Sequence, residues 1–544
     1  KEAAALEVPE NVVLKEPKDF KIIGKDTLNV DLDNIVTGKP LYGLDYKKEG
    51  MVYVSVLRPP AFGMKLKDFS DADTRAVTGV YDVIQFGDKI AVLAKNTWAA
   101  MKGKKALKAN WQDDALEHTE MHDKILLDLL NSKEGEVRRE DGNVDKAFAE
   151  ADQIIERIYE SPFLPHNCME PMNFYADVTE EKIHLAGPIQ TPEGTAAQVA
   201  KLLEREPGEV VLELTRMGGG FGRRLYGDFV LEAAEISSKA KKPIKLIYSR
   251  EDDMTAGIFR PAIKYKISAS LKDGEITGYK LKEAAINSNM YGLIPHFFPA
   301  GAIANLRIES ANYQSNITTG AWRAPYTNFL AFAEQSFFDE VAESLNQDAV
   351  QLRLDLLDNV VDGADERIQY SAARMKEVIK VAADKGNWGS TSEGVYKGFS
   401  AYYSHNTHVA EVAEIRIQNG IPKVSRVTAA VDCGIVVNPT GANNQVVGGV
   451  LDGIGHAMYG DFTFKDGKPS STNFDTYRLI RMHETPKVDV HFIESELAPT
   501  GLGEPGLPPA GGAVANAIKA ATGKRLTKQP LLKYLTEAET QLKG

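Results

Sequence analysis

A single carboxylate, Glu504, stands in the run Ala498-Pro-Thr-Gly-Leu-Gly-Glu-Pro-Gly-Leu-Pro-Pro-Ala-Gly-Gly-Ala513, otherwise built from glycine, proline and small or apolar residues. Such surroundings solvate an anion poorly, which raises a carboxyl pKa and suits it to proton abstraction near neutral pH. An apolar helical run, Ala513–Ala521, follows at once, so the same carboxylate equally suits a helix N-terminus. A second candidate is Met217-Gly-Gly-Gly-Phe-Gly-Arg-Arg224, between a strand-like run and a helical one. Glycines there let backbone approach a ligand, and a helix start offers free N–H groups to an anion or oxo group. The run is neither a dinucleotide-binding Gly-x-Gly-x-x-Gly nor a P-loop, and a tight turn without a ligand explains it as well.

Two further segments complete the set. In Gly320-Ala-Trp-Arg-Ala-Pro325, Arg323 either binds an anion and stabilises developing negative charge, or pairs with a structural acid. Val431-Asp-Cys-Gly-Ile-Val-Val-Asn-Pro439 leads into the glycine-studded helical run Gln445–His456. An amide at Gln445 can both donate to and accept from a heterocycle or phosphate, while the glycines also suit a closely packed helix.

Several chemistries have no support. His405 and His408 lie three apart without matching Cys or carboxylate spacing, so they read as solvated or core histidines, not metal ligands. There is no Gly-x-Ser-x-Gly elbow. The two cysteines, Cys168 and Cys433, cannot hold a four-cysteine iron–sulfur cluster and read as buried free thiols. A formal charge of −12 argues against nucleic-acid binding through phosphate contacts, and no apolar run has the length of a membrane span.

The elements that must position these residues follow from periodicity. Residues 1–30 read as a linker. Residues 31–145 form a small mixed domain, with strands at Met51–Leu57 and Ile90–Lys95, helices at Trp98–Lys108 and His118–Asn131, and a polar boundary at Glu134–Asn143. Strands are expected at Gln153–Glu160, Glu209–Arg216 and Ile244–Tyr248, and helices at Asp228–Lys241, Asn328–Leu345 and Ala372–Lys385. Hairpin turns are marked by Asp273-Gly274, Asn419-Gly420 and Asp466-Gly467. The Gly/Ser/Thr-rich stretch Gly386–Gly394 divides residues 150–390 from 391–544.

In this order, the four segments resemble the molybdenum hydroxylase family of xanthine dehydrogenase and aldehyde oxidase. The resemblance is strongest to the bacterial isoquinoline 1-oxidoreductase and nicotinate dehydrogenase large subunits. His166-Asn-Cys-Met-Glu-Pro-Met-Asn173, Gly187-Pro-Ile-Gln-Thr-Pro192 and Asn473-Phe-Asp-Thr-Tyr-Arg478 add to it, and Asp31–Trp111 resembles the family's small hammerhead domain. The resemblance implies an α+β fold in which a hammerhead domain precedes two molybdopterin-binding lobes. It implies a hydroxylase acting on an aldehyde or aromatic N-heterocycle with oxygen from water; a scaffold subunit that kept the fold is the alternative. Glu504 matches the general base. Gly219, Gly220, Phe221, Gly222, Arg223, Arg323, Gln190, Gln445 and Gly503 match cofactor-binding positions, with no metal ligand supplied by the protein.

The cofactor so implied is molybdopterin with molybdenum, in its cytosine dinucleotide form. Electrons would pass to a small partner subunit carrying 2Fe–2S clusters and on to a cytochrome c. The family's Gly-Gln-Gly motif is absent here. In this branch it lies N-terminal to the matched part, which agrees with a chain that starts at Lys1 as a piece of something longer. It implies another polypeptide that carries that segment. The resemblance also points to the periplasm.

Overall fold

The computed structural model describes residues 6–7, 10–113, 115–287 and 294–541, so residues 1–5 and 8–9 of the expected linker lie outside the described residues. Three main sheets and their helices make an α+β architecture. The first sheet has seven strands in the order Val210–Leu214, Ile183–Gly187, Asn173–Val178, Ile244–Ile247, Val52–Leu57, Lys89–Ala94, Val80–Phe86. Val52–Leu57 runs parallel to Ile244–Ile247, with Val52 opposite Ile244. The N-terminal segment therefore completes a sheet shared with residues 173–247.

The second sheet has five strands, ordered Glu136–Asp141, Leu306–Tyr313, Glu275–Ile286, Ile263–Lys272, Gln153–Ser161. Its first strand corrects the boundary expected at Glu134–Asn143. The segment is polar because it is an edge strand with one solvated face. Its one buried side chain, Arg139, is held by Asp141 and Asp365 at 2.5 and 2.9 Å. The third sheet comprises Tyr396–Ser404, Thr407–Gln418 and Ile421–Asp432, closed by Lys487–Phe492 in parallel. All three expected Gly-containing hairpins form.

Helix Thr327–Ser344 lies between the second and third sheets and is buried on nearly every face through Phe338, its polar side chains Asn328, Glu334 and Gln335 included. Burying each of Phe329, Phe332, Phe337 and Phe338 contributes roughly 1.5–3 kcal/mol. Helix Pro508–Thr522 packs against it and against Tyr396–Ser404. That approach is close: a Cβ on Gly398 would fall 2.1 Å from the Ala513 carbonyl oxygen. Residues on both sides of Gly386–Gly394 thus share one core, which brings the segment after residue 500 against the segment after residue 320. Cys168 and Cys433 are buried and free.

Candidate active site

Glu504 lies where three segments meet. The Arg323 guanidinium donates to the Gly503 carbonyl from Nε at 3.0 Å and from Nη2 at 2.6 Å. The next backbone N–H, of Ala324, donates to Glu504 Oε1 at 2.9 Å. Ala324 and Tyr326 both have positive φ, +56° and +63°. Such backbone costs about 1–3 kcal/mol per residue, held here by the surrounding bonds. The other carboxylate oxygen, Oε2, meets His405 Nε2 at 2.8 Å, and 34% of the Glu504 side chain stays exposed.

The charge state departs from the expectation of a raised pKa. Burial does push Glu504 up, but His405, the Ala324 N–H and Arg323 together hold it below the usual carboxylate value. The glycines and prolines did not reveal what the fold brings in, which is hydrogen bonds from His405 and the Ala324 N–H and the positive charge of Arg323. Glu504 is therefore ionised at neutral pH, ready to accept a proton.

The glycine loop sits beside this point. The Arg323 N–H donates to the Phe221 carbonyl at 3.0 Å, and the Gly222 N–H to Gln190 Oε1 at 3.1 Å. Gly222 has φ +100°, and a Cβ there would lie 2.2 Å from the Ala321 carbonyl oxygen, so the loop and the 320s segment touch backbone to backbone. The N–H groups of Gly219, Gly220 and Phe221 donate to none of the described residues, and Phe221 is 41% exposed. Arg223, expected at a cofactor-binding position, turns its guanidinium to an acid of its own segment. Its side chain is buried and bonded to both oxygens of Asp228, at 2.6 and 2.8 Å, so it braces the start of the following helix. Arg224 ties the loop from beneath, donating to the Gly219 and Glu170 carbonyls.

The third segment is helix Pro439–Tyr459. Gly448, Asp452 and His456 recur every four residues on one face. Arg323 Nη1 donates to the Gly448 carbonyl and to Asp452 Oδ2, both at 3.2 Å, and His456 Nε2 meets Asp452 Oδ1 at 2.7 Å. Arg323 thus has the acid partner that the structural alternative requires, while its Nη2 also borders the open face of Gly448. Its charge is matched by Asp452, which burial pushes up but His456 and Arg323 hold below its ordinary value. Trp322 packs edge-on against His456, with ring centroids 4.1 Å apart.

Gln445, two turns nearer the helix start, is exposed. A Cβ on Gly503 would find nothing nearer than Gln445 Oε1 at 3.7 Å, and one on Gly448 nothing nearer than Arg323 Nη2 at 3.9 Å. These glycines face open space lined by backbone and by the Gln445 amide. Gly449 and Gly453 instead press on the backbone of Gly506 and Leu507, at 3.1 and 2.6 Å for a built Cβ, so close packing also holds.

The structure therefore gathers Glu504, Gly503, Gln445, Arg323, Phe221, Gly222 and Gln190. Sequence reasoning missed Asp452 and His405. The i,i+4 spacing of Asp452 and His456 was a readable signal for the first. His405-Asn406 between two alternating runs was one for the second, since His and Asn tolerate the positive φ of a tight turn.

Two family profiles, each described as molybdopterin cofactor-binding domain, match residues 129–356 and 332–486. Over 95% of its length the chain is 28% identical to a membrane-bound aldehyde dehydrogenase [pyrroloquinoline-quinone] of Gluconacetobacter polyoxogenes, covering 73% of that protein. It is also 28% identical to isoquinoline 1-oxidoreductase subunit beta of Brevundimonas diminuta, over 97% of this chain and 70% of that one. Among solved structures, quinoline 2-oxidoreductase from Pseudomonas putida 86 shares the fold with a TM-score of 0.82 at 14% identity, across 97% of this chain and 99% of that one.

Proposed function

Because this chain belongs to the molybdenum hydroxylase family, we propose that it forms the large, cofactor-binding subunit of an enzyme that hydroxylates an aldehyde or an aromatic N-heterocycle with oxygen from water. When bound, a molybdopterin would supply the two-electron redox chemistry and the activation of oxygen that no side chain of the protein can carry. The residues present suit such a group. The unbonded N–H groups of Gly219, Gly220 and Phe221, the open faces of Gly448 and Gly503, and the Gln190 and Gln445 amides offer donors and acceptors to a polar heterocycle. Arg323 would serve this cradle indirectly, by fixing the Gly503 carbonyl and joining the two lobes.

Glu504 is the base in this reading. Each of its oxygens makes one bond, to Ala324 or to His405, and keeps a second lone pair free to take a proton. The observation that carries the proposal is this ionised, half-exposed carboxylate beside glycine backbone that faces open space.

The finer features follow from the same reading. The cofactor is taken as the cytosine dinucleotide form. With two cysteines in the whole chain, electrons leave through a partner, a small 2Fe–2S subunit, with cytochrome c as the acceptor beyond it. A further polypeptide supplies the Gly-Gln-Gly segment, and the complex works in the periplasm. Metal and pterin analysis of the purified complex tests this, together with an oxidation assay over aldehydes and azines with an artificial electron acceptor. One molybdenum per chain and turnover of at least one class are expected. A metal-free, inactive complex would leave only a scaffold.

A further inference from the structure

We infer that His405 is a positioning residue for the Glu504 base, gripping carboxylate oxygen Oε2 so that base and imidazole act as a pair. The inference rests on the reading of Glu504 as the base. Its ground is a closed ring of hydrogen bonds. His405 Nε2 meets Glu504 Oε2 at 2.8 Å, and His405 Nδ1 meets Ser404 Oγ at 2.7 Å. Ser404 Oγ meets Thr327 Oγ1 at 3.1 Å, and Thr327 Oγ1 donates to the Ala324 carbonyl at 3.1 Å. The Ala324 N–H returns to Glu504 Oε1 at 2.9 Å.

Bond direction gives this ring its meaning. A hydroxyl has one proton to donate. If Thr327 gives its proton to the Ala324 carbonyl, its oxygen accepts from Ser404, and Ser404 must accept from a proton on His405 Nδ1. The gap between Nε2 and Oε2 then still needs a proton, because two lone pairs at 2.8 Å repel. If the hydroxyls point the other way, Nδ1 accepts and Nε2 carries the proton to Oε2, at the loss of the Thr327 bond. Either way the imidazole and the carboxylate share a proton and stay oriented.

The aim of the ring is built into the backbone. His405 and Asn406 have φ of +52° and +62°, the left-handed pair of a two-residue hairpin between Tyr396–Ser404 and Thr407–Gln418. The hairpin tip is stitched to the segment carrying Glu504. The Gly501 N–H donates to the His405 carbonyl at 3.2 Å, and Thr407 Oγ1 donates to the Gly501 carbonyl at 2.6 Å. A Cβ on Gly501 would lie 2.9 Å from the His405 Cβ, so glycine is what lets the two approach. The charged group facing the pair is Arg323, with Asp452 and His456 behind it; across the hairpin Arg374, Asp432 and Asp362 act on His408 instead. His408 is engaged elsewhere, its Nε2 accepting from the Ser371 N–H. Among the groups that oppose the effect of burial on Glu504, His405 is the largest.

The test uses the assembled complex and two substitutions. His405→Phe keeps the ring but no donor, and His405→Gln keeps a donor. The Phe variant is expected to lose about tenfold to a hundredfold in kcat, with KM within a few-fold. The acid limb of its kcat profile moves to higher pH, and His405→Gln recovers most of the rate. A second readout needs no turnover. In complex labelled with ring-15N histidine, Glu504→Gln is expected to shift the ring nitrogens of His405, assigned by their loss in His405→Gln, and to leave those of His408 in place. Wild-type kcat and pH profile in His405→Phe, or 15N positions indifferent to Glu504→Gln, would each overturn the pairing. Full turnover in Glu504→Gln would instead remove the base reading, whatever the nitrogen spectra report.

Discussion

Between the second and third sheets Glu334 is pushed up to about 8, by burial that hydrogen bonds from Tyr402 and Tyr279 only partly offset. At the seam around residue 504 the order of effects is similar, with burial again the largest, yet Glu504 ends below its ordinary value. The difference lies in the donors. Glu334 receives two neutral phenols, at 2.7 and 3.1 Å, whereas Glu504 faces His405 and Arg323. Glu411 extends the series: neither of its oxygens has a partner among the described residues, and it is raised well above the carboxylate range. Desolvation sets the starting point, and the charge of the partners decides the sign. The core holds its carboxyl neutral, as a bridge between sheets; the seam keeps its carboxyl ionised, the state that the proposed base requires.

The sharpest way to break the contrast is to strip the seam of charge. Arg323→Met removes the bonds to Gly503, Gly448 and Asp452 and leaves Asp452 with only His456. A loss of about 3–5 kcal/mol is expected in urea unfolding, together with lower cofactor content. An unchanged urea midpoint would mean that Arg323 does not hold the three segments together.

Glu334→Gln sharpens the other side. Glu334 is neutral when folded up to about pH 8, but ionises near its ordinary 4.5 when unfolded. Its contribution is full below pH 4.5 and drains away as pH rises towards 8, by about 1.4 kcal/mol per unit. The amide has no such dependence, so the variant should gain on the wild type between pH 5 and pH 8 in paired unfolding curves. Parallel curves would show that Glu334 ionises normally. The smallest effect is expected from Tyr402→Phe, which removes one donor to Glu334 and should cost about 1 kcal/mol at neutral pH.

The regular elements were legible because they depend on local pattern. Helices Asp228–Ala240 and Ala372–Lys385, and the hairpins at Asp273, Asn419 and Asp466, lie within a residue or two of expectation. The strand Glu136–Asp141 was not legible, since its one buried residue is an arginine, and one of the two acids that hold it there, Asp365, is remote in sequence. The site was half legible. Glycine runs announced close backbone approach at Gly222 and open faces at Gly448 and Gly503. The direction of each charged side chain did not follow from them. Arg223 turns to Asp228 and Arg323 to Asp452, and which arginine meets which acid depends on the fold. Neither His405 nor His408 has metal-site spacing, yet a hairpin carries the first to Glu504 while the second is buried behind it.

The central claim is that Glu504 does the proton chemistry of a site whose cofactor is held by backbone and amides. Comparing Glu504→Gln with the wild-type complex at equal molybdenum content tests it most directly. The account predicts a metal-loaded variant whose turnover falls by about 10²–10⁴-fold, because the amide keeps the shape and loses the basic oxygen. A metal-loaded variant that turns over at the wild-type rate would contradict it.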